Sequence, residues 1–423
     1  MKTIVINKQD KTRVPFLRGI LIRNLIEAGL PFEEASELAG RVREDLGETE
    51  TITTQALRKK VTELLARKYD KSILLQYTSP VAAPTKIAVR NLGGSISAFS
   101  RGRHQRYLQS SGVDADDAEK ITSLMFNQLL AQGVASLTSC QLGYLTYLCL
   151  LQELGKSAAG QYLVWSEFQR SGRPLILLIC GAVGSGKSSI ATEVSHRLEI
   201  VRTQSTDMLR EIMRSMIPKK LLPVLHCSSF DAWQTLPIQD KKHRDKDLLI
   251  AEGYRSQADL LALACEAVIR RAVRESTPLI LEGVHAHPGL MQRLPAGSEA
   301  VVVHVTLAVL HERELQARLR GRGAEEPKRR AKRYLSKFDS IWRLQSFVLG
   351  EAERFDTPII PNDDQEAAIF QLINTINRQL AEHFAGSPAD VFGTVAQGMQ
   401  KRAAGKTWQQ VLALLLAEKA VKK

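Results

Sequence analysis

Gly181-Ala182-Val183-Gly184-Ser185-Gly186-Lys187-Ser188 is the stretch on which the reading of this chain turns. It follows the apolar run Leu175 to Cys180, long enough for a buried strand, and precedes Ile190-Ala191-Thr192-Glu193-Val194, which reads as helix. A Gly-x-x-x-x-Gly-Lys-Ser loop between a strand and a helix is a phosphate-binding loop. Its glycines let the backbone curl so that amide N–H groups point inward, and the helix N-terminus adds partial positive charge. Lys187 is expected to reach the outer phosphates, and the Ser188 hydroxyl to complete the shell of a Mg²⁺ ion. The nucleotide-binding set is therefore residues 181–188 with the adjoining Ser189. An ordinary Gly-rich turn is the bland alternative, disfavoured because motif and context are both in place. The chain is expected to bind ATP with Mg²⁺.

Outward from this loop, apolar runs at 175–180, 201–204, 278–281, 300–305 and 358–360 are separated by helical patterns. Alternation of this kind predicts an α/β domain, a five-stranded parallel sheet with helices on both faces. Ligands of such sheets sit at the carboxyl ends of the strands, so the residues just after each strand are the candidates. After the second run, Ser205-Thr206-Asp207 caps a helix whose apolar face is expected to hold Met208, Leu209, Ile212 and Met213. Asp207 is either a plain helix cap or a group that orients an incoming hydroxyl, accepts its proton, or holds a metal-bound water. Arg210, one turn on, can clamp an acceptor's carboxylate or phosphate, or lie on a solvated face. After the third run comes Glu282-Gly283-Val284-His285, where a carboxylate ending a buried strand suits a Mg²⁺ ligand or a positioned base. Either Asp207 or Glu282 can be that base, so both are also metal candidates beside Ser188. His285 and His287 flank Glu282 with weak zinc spacing and can simply shape a loop. The fourth run leads into an arginine-dense helix with Arg313, Arg318, Arg320 and Arg322, then Lys328, Arg329, Arg330 and Arg333. Arg318 and Arg322 are candidates for a mobile lid over the transferring phosphate, with hinges at Gly321 and Gly323, and the later cations read as a solvated face.

The front of the chain repeats itself. A shift of 83 carries Phe16-Leu17-Arg18-Gly19 onto Phe99-Ser100-Arg101-Gly102, and Ala28-Gly29-Leu30 onto Ser111-Gly112-Val113; past a two-residue insertion, Ile52-Thr53-Thr54 matches Leu137-Thr138-Ser139. One shift carrying a helix stop, a helix start and a cap predicts a duplicated, mainly helical module. The domains expected are a module at 1–79, a linker at 80–87, a second module at 88–168, the α/β domain at 172–384 and a helical tail at 385–423. The tail's helix, 407–421, has Trp408, Val411, Leu412 and Leu415 as its stripe.

Composition sets outer bounds. Lys+Arg 58 against Asp+Glu 45 gives a formal charge of +13, which suits an anionic partner. No compact basic arm is present and aromatics are 6% of residues, so nucleic acid is not the expected partner. Five cysteines without metal-ligand spacing read as buried thiols of a reducing cytoplasm. No apolar stretch is long enough to span a bilayer, and a soluble, cytoplasmic protein is expected.

The first module resembles the ATP-cone, a nucleotide-binding regulatory module. Lys8, Asp10, Pro15 and Phe16 match its pattern, while Gln9, Lys11 and Ile20 depart from it; in the second copy Arg103 stands at the place of Ile20. The α/β region resembles the archaeal-type 2-phosphoglycerate kinases through Leu222-Pro223-Val224-Leu225-His226-Cys227-Ser228-Ser229-Phe230-Asp231-Ala232-Trp233, Gly253-Tyr254-x-x-Gln257, and Glu282-Gly283-Val284-His285-x-x-Pro288-Gly289. The resemblance implies a P-loop kinase transferring the γ-phosphoryl of ATP to the 3-hydroxyl of 2-phosphoglycerate. Arg210, His226, Ser228, Ser229 and His285 would lie at the acceptor, and Asn362 in the loop beside the adenine. A kinase of another phosphorylated polyol, such as an inositol phosphate, and a nucleotide-sensing regulator are the alternatives. The front modules or the tail are the surfaces by which a homo-oligomer would form.

Overall fold

Every residue of β7 (Leu175–Gly181) is buried, as a strand with neighbours on both edges and helices on both faces must be. The computed structural model describes residues 3–6, 13–47, 49–69, 71–78, 87–238, 244–293, 299–325, 328–400 and 402–421. Lys8, Gln9, Asp10, Lys11 and most of the expected linker lie outside them. The chain forms two compact units, Met1–Thr85 and Lys86–Lys423.

The first unit runs β1 (Ile4–Ile6), β2 (Arg13–Pro15), α1 (Arg18–Glu27), α2 (Phe32–Asp45), β3 (Thr51–Thr53), α3 (Thr54–Lys68) and α4 (Lys71–Thr78). The second opens with β4 (Ala88–Arg90), β5 (Ile96–Ala98), α5 (Arg101–Ser110), α6 (Ala115–Ala131), β6 (Ser136–Thr138), α7 (Ser139–Glu153) and α8 (Lys156–Ser171). Both sheets have the same order, β2-β1-β3 and β5-β4-β6, with one antiparallel and one parallel pairing each. The caps repeat too: Thr53 accepts from the Ala56 amide at 3.2 Å, and Thr138 from Gln141 at 3.1 Å. Sequence repeat and structural repeat coincide.

The two copies differ at one buried point. In the first, Leu21, Ala39 and Val61 pack together as part of an apolar core. The equivalent positions of the second are His104, Thr122 and Thr146, and the imidazole bridges the two hydroxyls at 2.9 and 3.0 Å. Burial pushes the His104 pKa down to about 4. Between its unfolded value near 6.5 and that folded value the unfolded chain binds the extra proton, so stability falls as pH falls through this window. Restoring the first copy's triad, as His104→Leu with Thr122→Ala and Thr146→Val, should remove up to about 3 kcal/mol of that pH dependence. Chemical denaturation at pH 7 and pH 4.5 measures it; equal slopes with pH in both proteins would contradict the assignment.

The α/β part follows as β7, α9 (Lys187–Arg197), β8 (Arg202–Ser205), α10 (Thr206–Met216), α11 (Lys246–Arg274), β9 (Leu279–Glu282), β10 (Val301–Ala308), α12 (Glu312–Glu325), α13 (Lys328–Ser336), α14 (Phe338–Arg354), β11 (Ile359–Pro361) and α15 (Gln365–Ala381). All five strands are parallel in the order β11-β10-β7-β9-β8. Each lies within a residue or two of its expected start. In register, Glu282 stands opposite both Ile179 and Ser205, which sets the ends of β7, β9 and β8 side by side.

Helix α8 serves two cores at once. Tyr162 and Leu163 pack with the second module, while Val164, Trp165 and Phe168 pack under the large sheet. The tail, α16 (Pro388–Phe392), α17 (Thr394–Met399) and α18 (Trp408–Val421), folds back on the second module. Trp408, Val411, Leu412 and Leu415 are all buried there, and Gln152 accepts from the Trp408 amide at 3.0 Å. The tail's apolar stripe is thus covered by its own chain.

On α10, Leu209 is buried and Met213 partly so, but Met208 and Ile212 are 57% and 50% exposed. The expected face was too wide: one turn of helix can put only one of two adjacent apolar rows against the sheet. Gly321 and Gly323 lie inside α12, not at a break; good helix formers around them carry the helix through to Glu325, and α13 is a separate helix from Lys328. All five cysteines are free, and burial raises the Cys149, Cys180 and Cys265 thiols to about 12. Among the described residues no helix is long and apolar enough to cross a membrane.

Candidate active site

The phosphate loop leaves β7 at Gly181 and enters α9 at Lys187. Gly186 caps that helix with φ +84°, and a side chain there would run into the Asn362 amide. Ala182, Gly184 and Ser185 are buried, Val183 partly so, while Ser188 and Ser189 are exposed at the mouth. The Lys187 ammonium donates to the Ala182 carbonyl at 2.8 Å, which folds the side chain over its own loop.

Two elements far apart in the chain meet at Ser188. Its hydroxyl donates to the Glu282 carboxylate at 3.1 Å, with Glu282 only 7% exposed at the end of β9. A carboxylate, a serine hydroxyl and neighbouring phosphate oxygens are the hard donors Mg²⁺ takes, with water in its remaining positions. The fit is with Mg²⁺ held between protein and phosphate: no group of three or more His, Cys, Asp or Glu among the described residues makes a metal cage.

Asp207 stands apart from this pair. It opens α10, its amide bonded to Ser205 Oγ at 3.2 Å, and its 65% exposed carboxylate lies 3.6 Å from Arg210 Nε. Strand β8 is drawn against β9 here by Gly283, at φ +147°, where a side chain would overlap Thr206 Oγ1. Arg210 is not on a solvated face: it is 16% exposed and donates to the carbonyls of Leu225 and Cys227, at 3.3 and 3.0 Å. It ties the segment 222–233 to α10.

Gln257 does the same from α11. Fully buried, it donates through Nε2 to the Val224 and Cys227 carbonyls, which leaves Oε1 facing His285 Nε2 at 2.7 Å. The amide orientation makes His285 Nε2 the protonated nitrogen and Nδ1 the acceptor. Nδ1 is buried without a partner. Burial pushes the His285 pKa down to about 3, against the pull of Asp207 and with the push of Arg210 and Lys187, so the ring is neutral. Tyr254 stacks on it, centroids 6.0 Å apart, and donates to the Val284 carbonyl at 2.6 Å. His287 turns elsewhere, its Nε2 3.2 Å from Glu351, so the two histidines share no metal.

The remaining expected residues divide. His226 is committed to the Ile217 carbonyl at 2.8 Å, and Ser229 is buried at the start of a short 3-10 turn. Ser228 Oγ accepts from Arg333 at 3.0 Å, and Lys337 meets Asp231 at 3.3 Å, so α13 and the residue after it reach the 222–233 segment. Arg318 lies on the other flank of the loop, bonded to Glu314 and to the Asn362 carbonyl. Asn362 is 3% exposed and donates to the Ser185 carbonyl at 2.8 Å, bracing the phosphate loop from below. The Arg322 side chain lies outside the described residues. From sequence, Tyr254 and Gln257, matched only for the resemblance, had no place at the site, and neither had Arg333, read as part of a solvated face.

Comparison with known proteins agrees with this geometry. A family described as an AAA domain matches residues 177–339. The 2-phosphoglycerate kinase of Pyrococcus horikoshii is 33% identical over 306 residues, 72% of this chain and 98% of that protein. Those of Pyrococcus furiosus and Thermococcus kodakarensis are 35% and 34% identical, each over 67% of this chain and over 91% and 94% of their own lengths. At 33 to 35% identity over two thirds or more of this chain and nine tenths or more of those proteins, the chain belongs to the 2-phosphoglycerate kinase family.

Proposed function

We propose that the protein transfers the γ-phosphoryl group of ATP to the 3-hydroxyl of 2-phosphoglycerate, giving 2,3-bisphosphoglycerate and ADP. The observation that carries this is the Ser188–Glu282 contact at 3.1 Å, beside a second carboxylate, Asp207, that is free of it and paired with Arg210. Two carboxylates in different surroundings divide two tasks. Glu282 and Ser188 would hold the Mg²⁺, which when bound would neutralise phosphate charge. Asp207 takes the proton of the attacking hydroxyl as the new O–P bond forms and the bond from the γ-phosphorus to the bridging oxygen breaks.

The loop amides and Lys187 bind the phosphates, and Lys187 exchanges its bond to Ala182 for the charge developing in the transition state. His285 Nδ1 accepts a hydrogen bond from the acceptor and orients it. Arg210 and Arg333 converge on the 222–233 segment, where they suit an acceptor with a phosphate and a carboxylate. Arg318 and Asn362 support the loop from its nucleotide flank. ADP release should depend on 2-phosphoglycerate and be at least about tenfold weaker in kcat/KM with 3-phosphoglycerate, glycerate or an inositol phosphate, since a misplaced anion leaves arginine charge unpaired. Preference for an inositol phosphate would reassign the acceptor.

A further inference from the structure

A second cavity, of about 380 Å³, lies at the opposite end of the sheet from the phosphate loop. Its floor is the starts of β7 and β9, at Pro174–Leu175 and Pro278, and its walls are α5, α8 and the end of α9. Four arginines line it, Arg103, Arg106, Arg173 and Arg197, against one carboxylate, Glu199. Arg197 is neutralised by Glu193 and Glu366, and Arg106 reaches Glu199 only at 3.9 Å. Arg103 and Arg173 have no acidic partner among the described residues.

Three further features belong to the cavity. Its walls are joined by hydrogen bonds, Ser110 Oγ to the Arg197 carbonyl at 2.9 Å and Tyr107 to Ser166 at 3.1 Å. The lining residue Trp165 is 3% exposed and its indole N–H has no partner. Glu199 and Ser276 line it where α9 and α11 end, each in the left-handed conformation that terminates a helix, at φ +55° and +46°.

We propose that this cavity is a second anion site, which takes a small organic phosphate. Its size suits a three-carbon phosphate or the phosphate end of a nucleotide, with Arg103 and Arg106 on α5 to bind oxygens and the remaining N–H groups of Arg173, whose Nε donates to the Glu299 carbonyl, beside them. The site is distinct from the active site, and both β7 and α9 run from it directly into the phosphate loop.

Calorimetric titration of the full-length protein with 2-phosphoglycerate, ADP and inorganic phosphate tests this. Arg103 and Arg106 are exposed on α5, and alanine there keeps the helix. At least one of the three probes should show a binding phase that Arg103→Ala/Arg106→Ala weakens tenfold or more and that Lys187→Met leaves intact; which probe does so identifies the source of the phosphate. Isotherms of the arginine double variant that superimpose on the wild type for all three probes would overturn the proposal. So would an arginine-sensitive phase that Lys187→Met also abolishes.

Discussion

Replacing Lys187 with methionine will lower kcat by at least about 100-fold, roughly 3 kcal/mol of transition-state stabilisation, with little change in melting temperature. Methionine keeps most of the buried stem, so the core around α9 stays filled and only the ammonium is lost. In the resting structure that ammonium is parked on the Ala182 carbonyl at 2.8 Å. Its bond there is exchangeable for a phosphate oxygen at no cost in side-chain ordering, and the charge it meets grows as the bond to the bridging oxygen breaks. Steady-state kinetics on folded Lys187→Met protein measures the effect. Turnover within about tenfold of wild type would remove the phosphoryl-transfer reading altogether.

The two carboxylates should separate in their response to Mg²⁺. Asp207→Asn should cut kcat by about 100-fold or more, the size of a general base's contribution, while the Mg²⁺ requirement stays where it was. Its side chain is 65% exposed, so folding will not suffer. Glu282→Gln keeps an oxygen for the Ser188 hydroxyl but loses the negative charge, so the Mg²⁺ concentration for half-maximal rate should rise at least about tenfold. A Mg²⁺ titration of both variants decides the assignment, and the opposite pattern would exchange the two roles.

What could be read from the sequence was what depends on near neighbours. The run Leu175 to Cys180 has no polar residue to expose, so it had to be a central strand; the loop after it carries its own backbone requirements. The duplicated front was legible because a helix stop and a threonine cap recur at one shift. Contacts between distant segments were not legible. Asn362 braces Ser185 from 177 residues away, and Arg333 reaches Ser228 across 105, so the first was expected at the adenine and the second in solvent. Adjacent apolar residues on one helix were equally ambiguous: Leu209 is buried and Met208 exposed because the sheet approaches from one side only. The tail's stripe announced burial without saying against what, and the answer, the second module, lies more than 250 residues back.

The most direct test of the account is phosphorus NMR of the full-length protein turning over ATP, Mg²⁺ and 2-phosphoglycerate. The expected result is ADP formed in step with a second phosphate monoester on the three-carbon acceptor, at its 3-position, and neither without the acceptor. ADP accumulating with inorganic phosphate alone, or at the same rate when 2-phosphoglycerate is left out, would contradict it.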